Sequence, residues 1–434
     1  MGDSSFYILE TTGCITQPNE ELSLVKVLGR GTQGTAYHIK TISNDEYALK
    51  LYHPSTLVRD ATISSRLKRL VKIGTPNDSF CWALDYVSVR YQGSNYHGYI
   101  MRLRKPDYIA PARFISGECQ MDFKPLFKAC LNLADSFAQL HLRGLCYKDV
   151  SINNFFFHPI SGNCSIIDID NICYDSVYDY SANVLGTPRF MAPEIVEGTA
   201  KPSIYSDYHS LAVLLFYLLL RGNPLEGSQE TKIRIFDAAA QKHLYGSNAV
   251  YIYDLTNDSN RPDPEVHYAT IAMAEIIPET IMRTFDSAFS KGLHDPSQRV
   301  PDSKWSLEFR KTIDLMTHCP SCGQENFASD EASQEVICWD CRNTYSPMRI
   351  KVQDKQYFAA PGTSIDIATE TLGVVVRHPK DPVVLGLRNT SGQAWLLSLP
   401  DGTTSDVYPG KSFILGSKIS VDTKRADAMI IKID

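Results

Sequence analysis

The order of apolar and polar positions divides the chain into regions with different secondary structure. Short apolar runs with strand character occur at 22–28, 46–52 and 99–103. Helical periodicity follows, with apolar residues on one face at 126–142 and again at 206–220. A small strand-rich lobe followed by a larger helical lobe is therefore predicted for the chain up to about residue 316.

The last part of the chain has a different pattern. Turn residues such as Pro400-Asp401-Gly402 and Pro409-Gly410 separate short β-rich runs. These runs lie at 373–377, 383–387, 394–399, 418–421 and 428–432. Turns at such regular spacing predict a small all-β sandwich. The fold class of the whole chain is accordingly predicted to be α+β.

Composition excludes several classes of function. A length of 434 residues favours about three domains. The net charge of -6 offers no broad surface for nucleic acid, so we expect no nucleic-acid partner. The apolar run 211–220 is too short for a membrane span, which needs about 20 residues, and predicts a buried helix. We expect no membrane partner and a cytoplasmic protein, because the amino terminus lacks a signal region and a myristoylation pattern.

Four of the eleven cysteines form two Cys-x-x-Cys pairs. Fifteen residues separate the pair Cys319 and Cys322 from the pair Cys338 and Cys341. This spacing favours a Zn²⁺ site with four thiolate ligands, and the alternative is a set of redox dithiols or free thiols. Because four thiolates leave no open coordination position, the Zn²⁺ would be structural.

A glycine-rich turn and a lysine follow the first strand. In Gly29-Arg30-Gly31-Thr32-Gln33-Gly34, the glycines allow a hairpin whose backbone N–H groups face a triphosphate. Taken alone, this pattern is more typical of a glycine hairpin that binds no ligand. Lys50 stands sixteen residues after Gly34 at the end of a strand, where it could pair with the α and β phosphates. The alternative for Lys50 is a surface position on an edge strand.

Three further residues form a pattern suited to phosphoryl transfer. Asp149 and Asn154 stand five positions apart after an amphipathic helix. The carboxylate can accept a hydroxyl proton while the amide oxygen binds Mg²⁺. Asp168 follows an apolar strand, and together with Asn154 it could hold Mg²⁺ or Mn²⁺. Taken singly, either aspartate could equally be a capping residue.

These motifs are completed by Gly186-Thr187-Pro188-Arg189-Phe190-Met191-Ala192-Pro193-Glu194. This run resembles the segment in which protein kinases dock their protein substrates. With it, residues from about 20 to 316 resemble the eukaryotic-type (Hanks-type) serine/threonine protein kinases. The run 206–211 is similar to the start of the central helix of these kinases. The run 295–299 resembles the site of their conserved arginine, which implies an ion pair between Glu194 and Arg299.

The resemblance implies a bilobal protein-kinase fold at 21–316, after an N-terminal extension at 1–20. The small lobe would occupy about 21–101 and the large lobe about 105–316, followed by a zinc ribbon at 317–350 and a β-sandwich domain at 351–434. ATP and Mg²⁺ are the implied cofactors, and Lys50, Asp149, Asn154 and Asp168 are the implied catalytic residues. Met101 would be the gatekeeper, and the other implied contacts to ATP are Gly29, Gly31, Gly34, Ala48, Lys50, Arg102 and Arg104.

The chain departs from the kinase pattern at several positions. No Glu occurs between Glu46 and Glu118, so the helix predicted at about 57–71 lacks the carboxylate that clamps the phosphate-binding lysine. Asp60 is the only acidic substitute in that helix. Ser151 stands in place of a lysine that contacts the γ-phosphate, and Asp170 replaces a glycine. Tyr147-Lys148 replaces the usual His-Arg. The changes at Ser151 and Asp170 bear on catalytic rate more than on nucleotide binding.

The combination of kinase, four-cysteine segment and β-domain is similar to that of certain bacterial kinases. Those kinases are grouped with a von Willebrand A-type protein and a metal-dependent protein phosphatase in tellurite-resistance and stress-response clusters. The resemblance implies these two proteins as partners, in addition to protein substrates. The last domain also resembles a forkhead-associated sandwich, although a domain that binds proteins or supports the lobes is the preferred interpretation.

Three functions are compatible with the sequence. The first is a Ser/Thr protein kinase that phosphorylates itself on Ser176 or Ser181, with Thr187 as a structural hydroxyl near Asp149. The second is a pseudokinase scaffold, and the third is a small-molecule phosphotransferase. The docking segment 186–194 disfavours the third function, and the retained phosphate and metal ligands disfavour the second.

Overall fold

The computed structural model describes residues 5–175, 186–329, 335–353, 355–367, 370–424 and 430–433. Ser176 and Ser181 lie outside the described residues. The chain divides into two compact units, one formed by Met1–Met121 and Lys128–Leu307 and the other by Asp122–Phe127 and Glu308–Asp434. Among the helices in the described ranges, none has the length and apolar character that crossing a membrane requires.

The first unit begins with a closed antiparallel barrel in the strand order β1-β2-β3-β4-β6-β5. Its strands are β1 (Ser5–Thr11), β2 (Glu21–Arg30), β3 (Gly34–Lys40), β4 (Glu46–Tyr52), β5 (Asp85–Tyr91) and β6 (Ser94–Arg102). The strands predicted at 22–28, 46–52 and 99–103 overlap β2, β4 and β6. Strand β1, which lies in the segment interpreted as an N-terminal extension, closes the barrel by pairing with β2 and β5.

Two helices, α1 (Pro54–Arg59) and α2 (Ile63–Ile73), connect β4 to β5. The prediction of one continuous helix at about 57–71 is therefore wrong at Asp60. Asp60 leaves the helical conformation, with φ -134° and ψ 88°. Its carboxylate accepts a hydrogen bond from the backbone N–H of Thr62 at 3.0 Å. A short polar side chain that bonds to nearby backbone competes with continuation of a helix.

The rest of the first unit is mainly helical. Its helices, with α4 and α11 extending into the second unit, are α3 (Pro111–Ile115), α4 (Phe123–His141), α5 (Pro193–Val196), α6 (Ile204–Leu220), α7 (Ala238–Tyr245), α8 (Tyr268–Ile276), α9 (Glu279–Asp286), α10 (Gly292–His294) and α11 (Asp302–Asp314). A capping box between Ser203 and Ser206 begins α6. The predicted burial of 211–220 is confirmed, because α6 is buried along nearly all of this run.

Two short strand pairs carry the loops around the site. Strand β7 (Leu145–Cys146) pairs with β10 (Cys173–Tyr174), and β8 (Phe155–Phe157) pairs with β9 (Cys164–Ile166). Both pairs are antiparallel. The first pair brackets the loop that contains Asp149, and the second lies between Asn154 and Asp168 in the sequence. The two strand pairs thus bring Asp149, Asn154 and Asp168 into one region of the first unit.

The second unit contains two small hairpins and two sheets. The hairpins are β11 (Met316–His318) with β12 (Glu325–Phe327) and β13 (Val336–Ile337) with β14 (Thr344–Tyr345). The sheet strands are β15 (Arg349–Val352), β16 (Lys355–Phe358), β17 (Ser364–Ile367), β18 (Glu370–Arg377), β19 (Leu385–Asn389), β20 (Trp395–Ser398), β21 (Thr404–Val407), β22 (Ser412–Ile414), β23 (Ile419–Asp422) and β24 (Ile430–Ile433). One sheet has the order β16-β15-β24-β23-β20-β21 and the other the order β17-β18-β19-β22.

The two sheets share one apolar core. Ile350 and Val421 from the larger sheet lie in the same buried cluster as Leu372 and Leu387 from the smaller sheet, with Trp395 fully buried among them. Two antiparallel sheets whose inner faces contribute to one core form a sandwich. The predicted all-β arrangement is therefore consistent with the second unit.

Candidate functional site

The first unit contains a cavity of about 480 Å³ between the barrel and the loops that follow α4. This volume is within the range of small-molecule sites, roughly 300–1,000 Å³. Asp149 and Asp168 line it, while Asn154 is absent from its described wall. The wall includes every residue that the resemblance assigns to ATP: Gly29, Gly31, Gly34, Ala48, Lys50, Met101, Arg102 and Arg104.

The glycine-rich turn joins β2 to β3 above this cavity. The backbone N–H of Gly31 donates to the carbonyl of Gly34 at 2.9 Å, which closes the turn. A Cβ at position 34 would lie 2.2 Å from the backbone oxygen of Leu51, so the approach of β4 requires glycine there. A Cβ at Gly29 would meet no atom within 4 Å. Gly34 therefore has a structural role, and Gly29 has open space above the cavity.

Another part of the wall is formed by an aromatic ring and a guanidinium group. Phe156, on β8, lines the cavity and was not predicted from the sequence. The Arg104 guanidinium lies 4.0 Å from the centre of the Phe156 ring and donates to the carbonyl of Tyr108 at 2.7 Å. A cation held over an aromatic ring is a stable arrangement. Phe156 lies between two buried neighbours in the strand Phe155–Phe157, and no motif identified it from the sequence.

Lys50 is buried beside two carboxylates. Its side chain is 10% exposed, and Nζ lies 2.9 Å from Oδ1 of Asp168 and 3.0 Å from Oδ2 of Asp170. Burial alone would lower the pKa of Lys50, but the charges of Asp170 and Asp168 outweigh it and the pKa is raised. Asp60, the only acidic substitute for the missing helix carboxylate, pairs with Arg66 at 2.9 Å, whereas Lys50 pairs with Asp168 and Asp170.

Asp168 and Asp170 differ in their surroundings. Asp168 adopts a left-handed conformation, with φ 55° and ψ 51°, and its side chain is 42% exposed. Asp170 is 3% exposed and accepts a hydrogen bond from the Tyr52 hydroxyl at 2.5 Å. Burial raises the pKa of Asp170, but the Lys50 charge and the hydrogen bonds lower it overall. Asp168, with its oxygens at the cavity, fits the oxygen ligand set of Mg²⁺.

The loop after β7 presents Asp149 to the cavity. The Thr187 hydroxyl donates to Oδ1 of Asp149 at 2.8 Å, so the expectation that Thr187 lies near Asp149 is confirmed. The side-chain Nδ2 of Asn154 donates to the backbone carbonyl of Asp149 at 2.8 Å. Asn154 is thus adjacent to Asp149, and its amide is oriented by the loop. Ser151 is buried at 2% exposure, away from the cavity lining.

Asp207, on α6, holds this loop from beneath. Its carboxylate accepts the backbone N–H groups of Tyr147 at 2.5 Å and Lys148 at 2.9 Å. His141 bridges Asp207 and Asp302, with ring nitrogens 3.2 Å and 2.5 Å from their oxygens. Burial would lower the pKa of His141, but its hydrogen bonds to the two carboxylates raise it to about 9. A buried imidazolium therefore links α4, α6 and α11.

The segment 186–194 is fixed by two ion pairs. The predicted pair of Glu194 with Arg299 is confirmed, since two guanidinium nitrogens of Arg299 donate to the carboxylate at 2.8 Å and 2.7 Å. Arg189 donates Nε to Glu226 at 2.7 Å, and the Tyr245 hydroxyl donates to the same carboxylate at 2.5 Å. This second pair was missed because its partners lie 37 residues apart without a recognised motif.

The four paired cysteines converge in the second unit. The sulfur atoms lie 3.6 Å apart in the pairs Cys319–Cys341 and Cys322–Cys338, and all four lie within 4.8 Å of one another. Zn–S bonds of about 2.3 Å in a tetrahedron require sulfurs roughly 3.8 Å apart, so the quartet fits Zn²⁺. Burial raises the pKa of Cys338, but hydrogen bonds from Cys341, Asn326 and Asp340 lower it to about 7, whereas burial raises the pKa of Cys322 to about 12. The fit to Zn²⁺ therefore rests on the distances between the sulfur atoms.

Comparison with known proteins agrees with this geometry. A sequence profile for the family described as Protein kinase domain matches residues 22–279, which is more than half of the chain. The chain is 30% identical over 96 residues to protein kinase C delta type of Rattus norvegicus, covering 22% of this chain and 14% of that protein. It is 31% identical over 195 residues to a protein kinase C-like protein of Neurospora crassa, covering 41% of this chain and 16% of that protein. The chain thus spans less than a third of the length of these relatives.

The cysteine quartet predicts one structural zinc per chain. Cys338→Ser should lose the metal and make residues after about 316 sensitive to protease, because zinc binding in small domains contributes about 10 kcal/mol or more. The exposed Cys14 provides the matched control, so Cys14→Ser should keep full zinc content. Elemental analysis and limited proteolysis measure both effects. Equal zinc content in the two variants would contradict the assignment.

The raised pKa of His141 predicts a pH-dependent stability. Because the folded pKa of about 9 exceeds the ordinary value of 6.5, the stabilisation is complete below pH 6.5 and is lost as the pH rises to 9. The wild type should lose about 3 kcal/mol of unfolding free energy over this interval through this group. His141→Gln should lack that decline. Urea unfolding at pH 6, 7.5 and 9 measures the difference, and parallel pH profiles for the two proteins would refute the bridge.

Proposed function

The chain belongs to the protein kinase domain family, and we propose that it transfers the γ-phosphate of ATP to serine or threonine hydroxyls of protein substrates. The observation that carries this proposal is the meeting of Lys50, Asp168 and Asp149 in one cavity, with the Thr187 hydroxyl 2.8 Å from Asp149. Family membership implies ATP, Mg²⁺ and protein substrates.

The proposed reaction assigns a separate task to each group. The backbone of the glycine-rich turn and the Lys50 ammonium would bind the phosphates, and Phe156 would support the adenine ring. Asp168 and Asn154 would hold Mg²⁺ or Mn²⁺, which when bound neutralises phosphate charge and aligns the γ-phosphate. Asp149 would orient the substrate hydroxyl and accept its proton. Positioning and electrostatic stabilisation then supply most of the rate enhancement.

Serine or threonine as the acceptor is favoured by the position of Thr187. Its hydroxyl ties the docking segment to the carboxylate that would receive the substrate proton. Glu226, paired with Arg189, holds the middle of this segment, and Glu194, paired with Arg299, holds its carboxyl end. A short aliphatic hydroxyl delivered along the segment would reach Asp149. The weak similarity to protein kinase C-like enzymes points in the same direction.

A pseudokinase that binds nucleotide or partner proteins without catalysis is the second candidate. Ser151 is the specific observation in its favour, because it is buried and supplies no cation to the γ-phosphate. Autophosphorylation, a cytoplasmic location and a role in bacterial stress or tellurite-resistance signalling complete the proposal for the active enzyme. The von Willebrand A-type and phosphatase partners rest on the resemblance of the C-terminal region alone.

Replacing Asp149 separates the active enzyme from the pseudokinase. Asp149→Ala should lower phosphoryl transfer about 10²–10⁴-fold, because the hydroxyl loses its proton acceptor. ATP affinity should change little, since Asp149 would act on the substrate. Incubation with labelled ATP and Mg²⁺ measures transfer, and Asp258→Ala, at an exposed position outside the cavity lining, is the control. Equal rates in wild type and Asp149→Ala would exclude the assignment.

Replacing Asp168 tests the metal site. Asp168→Asn should weaken ATP binding in the presence of Mg²⁺ about tenfold or more, because it removes a carboxylate from the metal. Binding without Mg²⁺ should change much less. Lys50→Met should weaken binding under both conditions. Calorimetric titrations of the wild type and the two variants, with Mg²⁺ and with a chelator, give the six affinities, and a wild type indifferent to Mg²⁺ would support the pseudokinase.

A further inference from the structure

Helix α2, whose sequence is ISSRLKRLVKI, contains no acidic residue. Lys50 therefore receives no anionic partner from this helix. The ammonium nevertheless has two further contacts, because both carboxylate oxygens of Asp170 lie at hydrogen-bond distance, 3.2 Å for Oδ1 and 3.0 Å for Oδ2. The carboxylate comes instead from the short turn Ile169–Asn171.

The surroundings of Asp170 are built for a permanent charge. Its side chain is 3% exposed, and its two oxygens accept from Lys50 and from the Tyr52 hydroxyl. Its backbone carbonyl accepts from Nε of Arg66, on α2, at 2.6 Å. A buried carboxylate is tolerated only when it is paired and hydrogen-bonded. These contacts fix both the charge and the backbone of Asp170.

We propose that Asp170 is the positioning residue that holds the Lys50 ammonium toward the phosphates of ATP. This inference deepens the proposed function and rests on it, because it assumes that Lys50 binds the nucleotide. Asp170 would take the task for which helix α2 carries no carboxylate.

The different exposure of the two aspartates supports this division of tasks. Asp168 is 42% exposed and makes one contact with Lys50 at 2.9 Å, so a metal could recruit its oxygens. Asp170 is enclosed by the barrel residues Lys50 and Tyr52 and has no such access. When Asp168 turns to the metal, Asp170 would keep Lys50 paired. The Lys50 ammonium would then stay directed toward the phosphates, and Asp168 alone would change its partner.

The same contacts change how α2 communicates with the site. Arg66 bonds to the backbone of Asp170 and pairs with Asp60 at 2.9 Å. Movement of α2 would therefore act on Lys50 indirectly, through the turn that carries Asp170. The contact of Lys50 with Asp170, called the clamp below, therefore depends on the turn 169–171 more directly than on the position of α2.

A double-mutant cycle tests whether Asp170 acts through Lys50. Asp170→Asn keeps the shape and should weaken ATP binding about 10- to 100-fold, as expected for loss of a charged hydrogen-bond partner. In a Lys50→Met background the same change should cost less than about twofold, because the partner is already absent. Equal losses in both backgrounds, as for a direct metal ligand, would overturn the proposal.

Two variants separate charge from packing. Asp170→Glu keeps the charge and should retain tighter ATP binding than Asp170→Asn. A packing role predicts the reverse order, because glutamate adds a methylene in a buried site. Glu10→Gln is the matched control, since it removes an exposed carboxylate that pairs with Lys68 of α2, and ATP affinity should change less than about twofold.

Thermal unfolding without nucleotide gives a readout that does not depend on ATP. If the pair is coupled, Lys50→Met and Asp170→Asn should each lower Tm. The double variant should lower Tm by less than the sum of the two single decreases. Additive shifts would overturn the clamp even if the enzyme is active. A wild type that binds ATP and shows coupling but transfers no phosphate would instead refute the proposed phosphotransferase and leave the clamp standing.

Discussion

The ammonium of Lys50, 10% exposed between Asp168 and Asp170, is the charge around which the cavity is arranged. A buried ammonium without partners would lose its proton or unfold its surroundings. Strand β4 supplies the cation from the barrel, and the turn after β9 supplies both anions. The pair therefore joins two segments that are 118 residues apart in the sequence. This contact fixes the separation between the glycine-rich turn and Asp168, the proposed metal ligand.

A second set of buried charges supports the loop that contains Asp149. Asp207 accepts two backbone N–H groups from the loop and pairs with His141, which also contacts Asp302. The loop conformation is demanding, because Lys148 has a positive φ of 74°. Such backbone persists only where neighbouring groups determine it. The apolar helix α6 supplies the rigid support, and one carboxylate at its first turn carries the hydrogen bonds.

The sequence predicted those parts of the site that are encoded in short motifs. The glycine-rich turn, Lys50, Asp149 and Asp168 meet at one cavity, and the cysteine quartet converges as its spacing indicated. Contacts between distant segments could not be read in the same way. Asp170 was interpreted as a lost glycine because its pairing with Lys50 depends on tertiary structure. The break between α1 and α2 depended on local side-chain bonds of Asp60 that compete with helical periodicity.

The energetics of the buried charges favour a site that binds nucleotide over a scaffold that binds none. Replacing a buried ion pair with apolar residues of similar volume is often neutral or stabilising, so stability alone does not explain Lys50 with two carboxylates. A ligand that needs a fixed cation and an exposed carboxylate does explain them. The placement of the two acids agrees, since the exposed one can change partner and the buried one cannot. A lysine in place of Ser151 would contact the negative charge that develops on the phosphoryl group during transfer. Its absence therefore affects the rate of transfer more than nucleotide binding.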